Sequence, residues 1–200
     1  MSTIRRVSET NIKKIANNKY SITNSLFYKE FLSAEIFESK VKDDTIYFKA
    51  SSVQTLAQYL IHKPDINFDF CTKMIYDLGS FLLFTERNNQ GLIYFNLEDI
   101  IVINDYYFLF LNNDLIYSLN SQDKLNITYP FNKSDFLAPE LTNAVSLPMQ
   151  VHKSVSYYSL ACIVLHCLQV DIEKIKATKL YFFLKRCLNN DPTKRELFYI

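Results

Sequence analysis

SDFLAPEL, residues 134–141, and LKRCLNNDPTKREL, residues 184–197, lie either side of SVSYYSLACIVLHCLQ, residues 154–169, a run that is apolar at nearly every position. A helix apolar on all sides has no solvent face, so this run predicts a buried central helix. TKLYFFLKRCL, residues 178–188, predicts a second one.

Working toward the N-terminus, Phe70, Met74, Leu78, Phe81 and Leu82 recur at helical spacing and predict a long amphipathic helix from Phe68 to about Arg87, stopped by Asn88-Asn89-Gln90-Gly91. The β-rich runs IIVI and YYFLFL flank Asn104-Asp105, a pair that tolerates positive φ and predicts a tight hairpin. Residues 114–131 hold strand-like pieces without a clear period. Upstream, VQTLAQYLIH at 53–62 predicts a helix capped by Ser51-Ser52 and ended before Pro64. TIYFKA at 45–50 alternates as a strand, and LFYKEFLSAEIFES at 26–39 predicts a helix with one buried stripe. Residues 1–25 carry little periodicity and read as a flexible or loosely docked arm.

The chain has 200 residues, 48% of them hydrophobic, enough for one sizeable core. Its 22 basic and 21 acidic side chains leave a net charge of +1, which argues for neither nucleic acid nor an anionic membrane as partner. Cys71, Cys162, Cys167 and Cys187 sit in apolar stretches without C-x-x-C spacing, as buried free thiols of a reducing compartment do. His62, His152 and His166 are scattered, with His166 read as a satisfied core imidazole, so no metal site is expected. The N-terminus lacks the apolar region of a secretory signal, and no run approaches the 18 apolar residues that predict a membrane span. The sequons at Asn126 and Asn132 therefore read as unused, and the expected location is intracellular, in the cytoplasm.

In their order and spacing, these stretches resemble the eukaryotic protein kinase fold from its hinge through its large lobe, over residues 45–200. TIYFKASSVQTLAQYL is similar to the last small-lobe strand, the hinge and the first large-lobe helix. YFNLEDIIVIND falls at the HRDLKxxN loop, SDFLAPEL carries Ala138-Pro139-Glu140 as the Ala-Pro-Glu triplet, SVSYYSLACIVL is similar to the SDVWSLGVIL helix, and LNNDPTKR to the closing LxxDPxxR. The resemblance implies a buried bidentate ion pair between Glu140 and Arg195 that pins the activation segment to the base of the lobe. It also implies an α+β, mostly α-helical fold: a kinase-like C-lobe with a truncated or remodelled N-lobe, 26–50 a remnant of the N-lobe and 51–200 the C-lobe of one domain, 26–200. The layout is similar to the non-catalytic C-lobe, or KIND, module.

Phosphoryl transfer needs a base, metal-binding oxygens and donors around the nucleotide phosphates. On this correspondence the catalytic aspartate becomes Asn96, an amide that accepts no proton near neutral pH, and the metal-binding asparagine becomes Ile101. The Asp-Phe-Gly site falls on Leu111, Asn112 and Asn113, with Asp114 beyond it, while Asp99 stands at a proline position expected at the surface. Gly79 and Gly91 are the two glycines of the chain, so no Gly-rich loop is available. No small-lobe lysine motif is visible; Lys29, Lys40 and Lys42 read as solvated. Ser156 replaces the aspartate that braces the catalytic loop in the family, which reads as a lost brace.

The expectation is a catalytically inactive pseudokinase that works as a protein-binding or scaffold module, without catalytic, metal or cofactor residues and without ATP. Its partner would be an active kinase, a cytoskeletal factor or a second copy. The apolar upper face of the lobe must be covered by the 26–39 helix, the arm or that partner. The alternative is an atypical nucleotide-binding pseudokinase or weak kinase with rearranged ligands at Asp99, Asp105 or Asp114. An unrelated α+β domain would instead leave Glu140 and Arg195 far apart.

Overall fold

The computed structural model describes residues 12–23, 26–33 and 35–198. Helix makes up 39% and strand 24% of an α+β architecture, so helix leads by less than the sequence suggests. The chain begins with β1 (Ile12–Ala16), β2 (Lys19–Thr23), α1 (Leu26–Phe31), β3 (Lys40–Lys42) and β4 (Thr45–Lys49). It continues through β5 (Val53–Thr55), α2 (Leu56–His62), α3 (Phe68–Arg87), β6 (Gln90–Leu92), β7 (Ile100–Ile103) and β8 (Tyr107–Phe110). The last elements are β9 (Ile116–Ser118), β10 (Lys124–Ile127), α4 (Pro139–Thr142), β11 (Met149–His152), α5 (Val155–Leu168) and α6 (Lys179–Cys187).

The first four strands form one antiparallel sheet in the order β1-β2-β4-β3. Residues 12–23, expected in an arm, are thus half of a sheet; residues 1–11 lie outside the described residues. The pattern escaped notice because β1 buries almost none of its side chains and is held by backbone pairing.

The helix expected over 26–39 ends early. The Ser33 hydroxyl donates back to the Glu30 carbonyl at 2.6 Å, and a separate 3-10 turn follows at Glu35–Phe37. These two pieces pack their aromatic rings onto α3 and β8. Phe27 meets Phe81 edge-on at 5.0 Å, Phe37 meets Tyr107 at 5.1 Å, and the Tyr28 hydroxyl donates to the Phe110 carbonyl at 3.1 Å. Each such ring, fully buried, stabilises the fold by about 1.5–3 kcal/mol relative to an exposed one.

The cap of α2 also differs from the sequence expectation. Thr55, not Ser51 or Ser52, accepts the Gln58 N–H, and the Gln58 side chain accepts from the Thr55 N–H in return. Val53–Thr55 is drawn out of the helix because it pairs with Ile101–Ile103 of β7. Ser51 and Ser52 instead hold the β7–β8 turn: Asn104 Oδ1 accepts from the Ser51 N–H at 2.7 Å and its hydroxyl at 2.9 Å. That turn runs through Asn104 and Asp105, both with left-handed φ (53° and 60°), as the pair predicts.

Helix α3 spans the expected residues, capped by the Asn67 side chain on the Phe70 N–H, and packs against β8, β6 and α5. Helix α5 is buried on most of its circumference and central, and α6 packs on it. The unassigned stretch 114–131 supplies β9, paired with β6, and β10, paired with β11.

Candidate functional site

At the positions that the kinase resemblance would assign to phosphoryl transfer stand an amide bonded to its neighbour, two apolar side chains and a capping asparagine. Asn96 Oδ1 accepts the N–H of Leu97 at 2.9 Å, and Ile101, 3% exposed, lies in the ladder between Thr55 and Leu109. Leu111 is buried, and Asn112 caps a 3-10 turn by accepting the Asp114 N–H at 3.1 Å. Asp105 pairs with Lys63 at 2.7 Å and accepts from the Ser52 hydroxyl at 3.2 Å.

Asp99, expected at the surface, is half-buried beside Asn112. Burial raises its pKa, against the hydrogen bond from Asn112, and the nearby Glu98 and Asp114 carboxylates raise it further. Asp114 is exposed, as are Lys29, Lys40 and Lys42. Among the described residues, no group of three or more His, Cys, Asp or Glu is arranged to hold a metal ion, and no helix is long and apolar enough to cross a membrane. His166 is corrected as well: it is exposed on the last turn of α5, with its ring edge-on to Phe136 at 5.3 Å.

The loop before β7 keeps a brace that the sequence hides. The Phe95 N–H donates to Ser159 Oγ at 2.8 Å, so the support comes from α5 one turn beyond Ser156, whose hydroxyl turns to the Lys153 carbonyl. Two acids tie α3 to its neighbours. Asp77 takes Lys73 on one oxygen and the Phe108 N–H on the other, at 2.5 and 3.0 Å. Glu86 accepts the Tyr157 hydroxyl and pairs with Lys153 at 3.1 Å. Burial first, and then the Glu86 carboxylate, push the Tyr157 pKa up.

Glu140 and Arg195 meet as the resemblance implies. Nη1 and Nη2 of Arg195 donate to Oε1 and Oε2 of Glu140 at 2.5 and 2.9 Å, and Nε donates to the Asn189 carbonyl at 2.7 Å. The guanidinium lies 5.0 Å from the Tyr158 ring centre, and the arginine side chain has no exposed surface. The segment carrying Arg195 is set by Asp191, which caps Pro192–Lys194, and by the Ser154 hydroxyl, which donates to the Pro192 carbonyl at 2.7 Å.

On the other side of α4 opens a groove of about 760 Å³, lined by Pro130, Phe131, Leu137, Leu141, Val145 and Leu147, with Lys133 and Asp135 also on its wall. Tyr129 is 72% exposed beside it, and Val145 is 99% exposed. Within its apolar lining Leu137 and Leu141 are buried and form the floor, while Val145 and Leu147 stand exposed at the rim. Leu141 lies in the single turn of α4 and the other residues named lie in loops, so periodicity could not single them out; the one available signal was the proline-punctuated TYPF at 128–131.

Comparison with known proteins adds no relative: no family model matches the chain, and no curated protein matches it.

Proposed function

We propose that this protein is a kinase-like fold without phosphotransferase chemistry that binds a protein partner through the groove beside α4. One observation carries the proposal. The acid and amide positions needed for transfer are filled by Asn96, spent on its neighbour's backbone, and by the buried Ile101, while the structural anchor Glu140–Arg195 is intact. The order of landmarks along residues 45–200 and the sheet with α1 above the β7–β8 hairpin support the kinase-like part. The groove supports the binding part. The candidate partners remain an active kinase, a cytoskeletal assembly factor or a second copy of the chain.

The test has two arms. Thermal unfolding with Mg-ATP is expected to show no shift; a ligand at 100 times its dissociation constant would add about 2.7 kcal/mol, and such a gain would favour the alternative of nucleotide binding at Asp99 and Asp114. Affinity capture from the native source is expected to retain a discrete protein on the wild type and to lose it on Val145→Glu/Leu147→Glu. Equal retention by both would refute the groove as the site.

A further inference from the structure

Charge that balances over the whole chain does not balance over its surface. In the first sheet Tyr20, Ile22, Ile46 and Phe48 point inward and are buried, so the alternate residues form the outer face. Its rows follow from the register: Lys13 opposite Ser21, Ser21 opposite Tyr47, Tyr47 opposite Lys40; Lys19 opposite Lys49; Thr45 opposite Lys42. Lysines from all four strands thus share one face, with an exposed tyrosine in its middle row. Among the described residues Glu38, at 2.5 Å from Lys49, is the one acid in an ion pair with them, and Lys13, Lys19, Lys40 and Lys42 make no ion pair, although Asp43 and Asp44 stand in the adjoining β3–β4 turn.

Lys19 and Lys49 stand opposite one another, and like charges so placed oppose folding; Glu38 offsets part of that repulsion at Lys49, and a bound polyanion would remove the rest. Tyr47, Lys19, Lys40 and Lys49 also line one cavity of about 440 Å³, within the range of ligand sites. We infer that this outer face binds single-stranded nucleic acid, the lysines meeting phosphates and the Tyr47 ring stacking a base.

The ring selects among polyanions. Tyr47, 41% exposed, has Ser21 and Lys40 as its cross-strand neighbours, and Ile15 is the one exposed aliphatic lining its cavity among Lys19, Lys40 and Lys49, so its surroundings are mainly small or charged. A membrane-inserting tyrosine would need apolar neighbours, and an acidic peptide would gain little from a stacking platform, whereas every unpaired base offers a flat face to it. Ser21, Thr23 and Thr45 place hydroxyls on the same face for sugar and base edges. This inference is independent of the kinase-like proposal.

The experiment is fluorescence polarisation of the full chain with labelled 12-nucleotide oligouridine and oligodeoxythymidine at 50 and 200 mM KCl. Four free lysines on phosphates give a slope of log K against log salt of about −3, hence a loss of about 50-fold between the two salts. Tyr47→Ala should weaken binding about 10-fold, and Tyr47→Phe should leave it within about 2-fold. Lys19→Glu/Lys40→Glu should weaken it and flatten the salt slope; if that variant melts early, Lys19→Gln/Lys40→Gln takes its place. A duplex of equal length should bind more weakly and ignore Tyr47→Ala. Absence of binding at 50 mM KCl, or binding unchanged by the lysine variants, overturns the inference. So does affinity for phosphatidylserine vesicles or polyglutamate that equals the single-strand affinity and is indifferent to Tyr47→Ala.

Discussion

Cutting the Glu140–Arg195 pair from one side should cost far more than deleting it from both. Glu140→Ala leaves a guanidinium with no exposed surface, its Nη1 and Nη2 without the carboxylate and its Nε alone still bonded to the Asn189 carbonyl. Stranding a buried charge in this way costs about 3–5 kcal/mol. For a chain of this size each kcal/mol lowers Tm by about 2–4 °C, so the loss is about 6–20 °C. Glu140→Leu/Arg195→Met removes both charges, fills the space with apolar atoms and should recover most of that loss. Urea unfolding of the wild type, both singles and the double gives the coupling directly, and limited proteolysis should show the 129–147 segment opening first in Glu140→Ala. A cost under about 1 kcal/mol for Glu140→Ala at unchanged m-value, or a double variant as weak as the sum of the singles, would show that the pair does not anchor α4.

Three further outcomes follow from individual contacts. Ser159→Ala leaves the buried Phe95 N–H without its acceptor and should destabilise by about 1–3 kcal/mol in urea unfolding, whereas Ser156→Ala should cost less. Asp99→Asn should be more stable than the wild type at pH 7. Its folded pKa lies above the ordinary carboxylate value of about 3.9, so the folded state holds the proton more tightly and stability falls as pH rises across that window; below it the two proteins should unfold at the same urea concentration. Burial pushes the Cys167 and Cys187 thiols up to about 12 and Cys162 up to about 11, so alkylation by iodoacetamide at pH 8 should be slow in the native protein and fast once urea unfolds it; rapid labelling of the native chain would contradict the burial.

How far the sequence could be read tracks how far burial repeats along it. Helices α3 and α5 were legible because their apolar residues recur for several turns, and the β7–β8 turn because Asn104-Asp105 tolerates the φ values it adopts. The pairing of Glu140 with Arg195 was legible only through the resemblance, since 55 positions separate them and neither motif states a distance. What stayed hidden has no local signature. β1 is an edge strand with solvent on nearly every side chain, and Val53–Thr55, although two of its three residues are β-branched, runs without a break into the α2 pattern and is recruited as a strand by β7. His166 was misplaced because an apolar helix that emerges at its last turn has the same composition as one that stays inside. The lysine face was invisible for another reason: net charge sums over the chain, whereas a sheet sorts alternate residues to opposite sides.

On the proposed kinase-like reading, four acids that could otherwise serve phosphoryl transfer are already committed to neighbours. Asp77 holds β8 through the Phe108 N–H, Glu86 holds Tyr157 and Lys153, Asp105 holds Lys63 and Ser52, and Glu140 holds Arg195; turning any of them to a metal would strand its partner. Beside the Leu111–Asn113 stretch stand Asp99 and Asp114, with the Asn112 side chain bonded to both residues. Burial works against the ionised form of Asp99, and a metal ion needs that form, so magnesium binding there would release a proton and strengthen as pH rises through the raised pKa. Nucleotide stabilisation should therefore be followed over a pH series that starts near the ordinary carboxylate value of about 3.9 and rises to about 8. A Tm unmoved by Mg-ATP throughout removes these two carboxylates as ligands, whereas a shift that grows with pH and vanishes in Asp99→Asn would make Asp99 the ligand and overturn the inert reading.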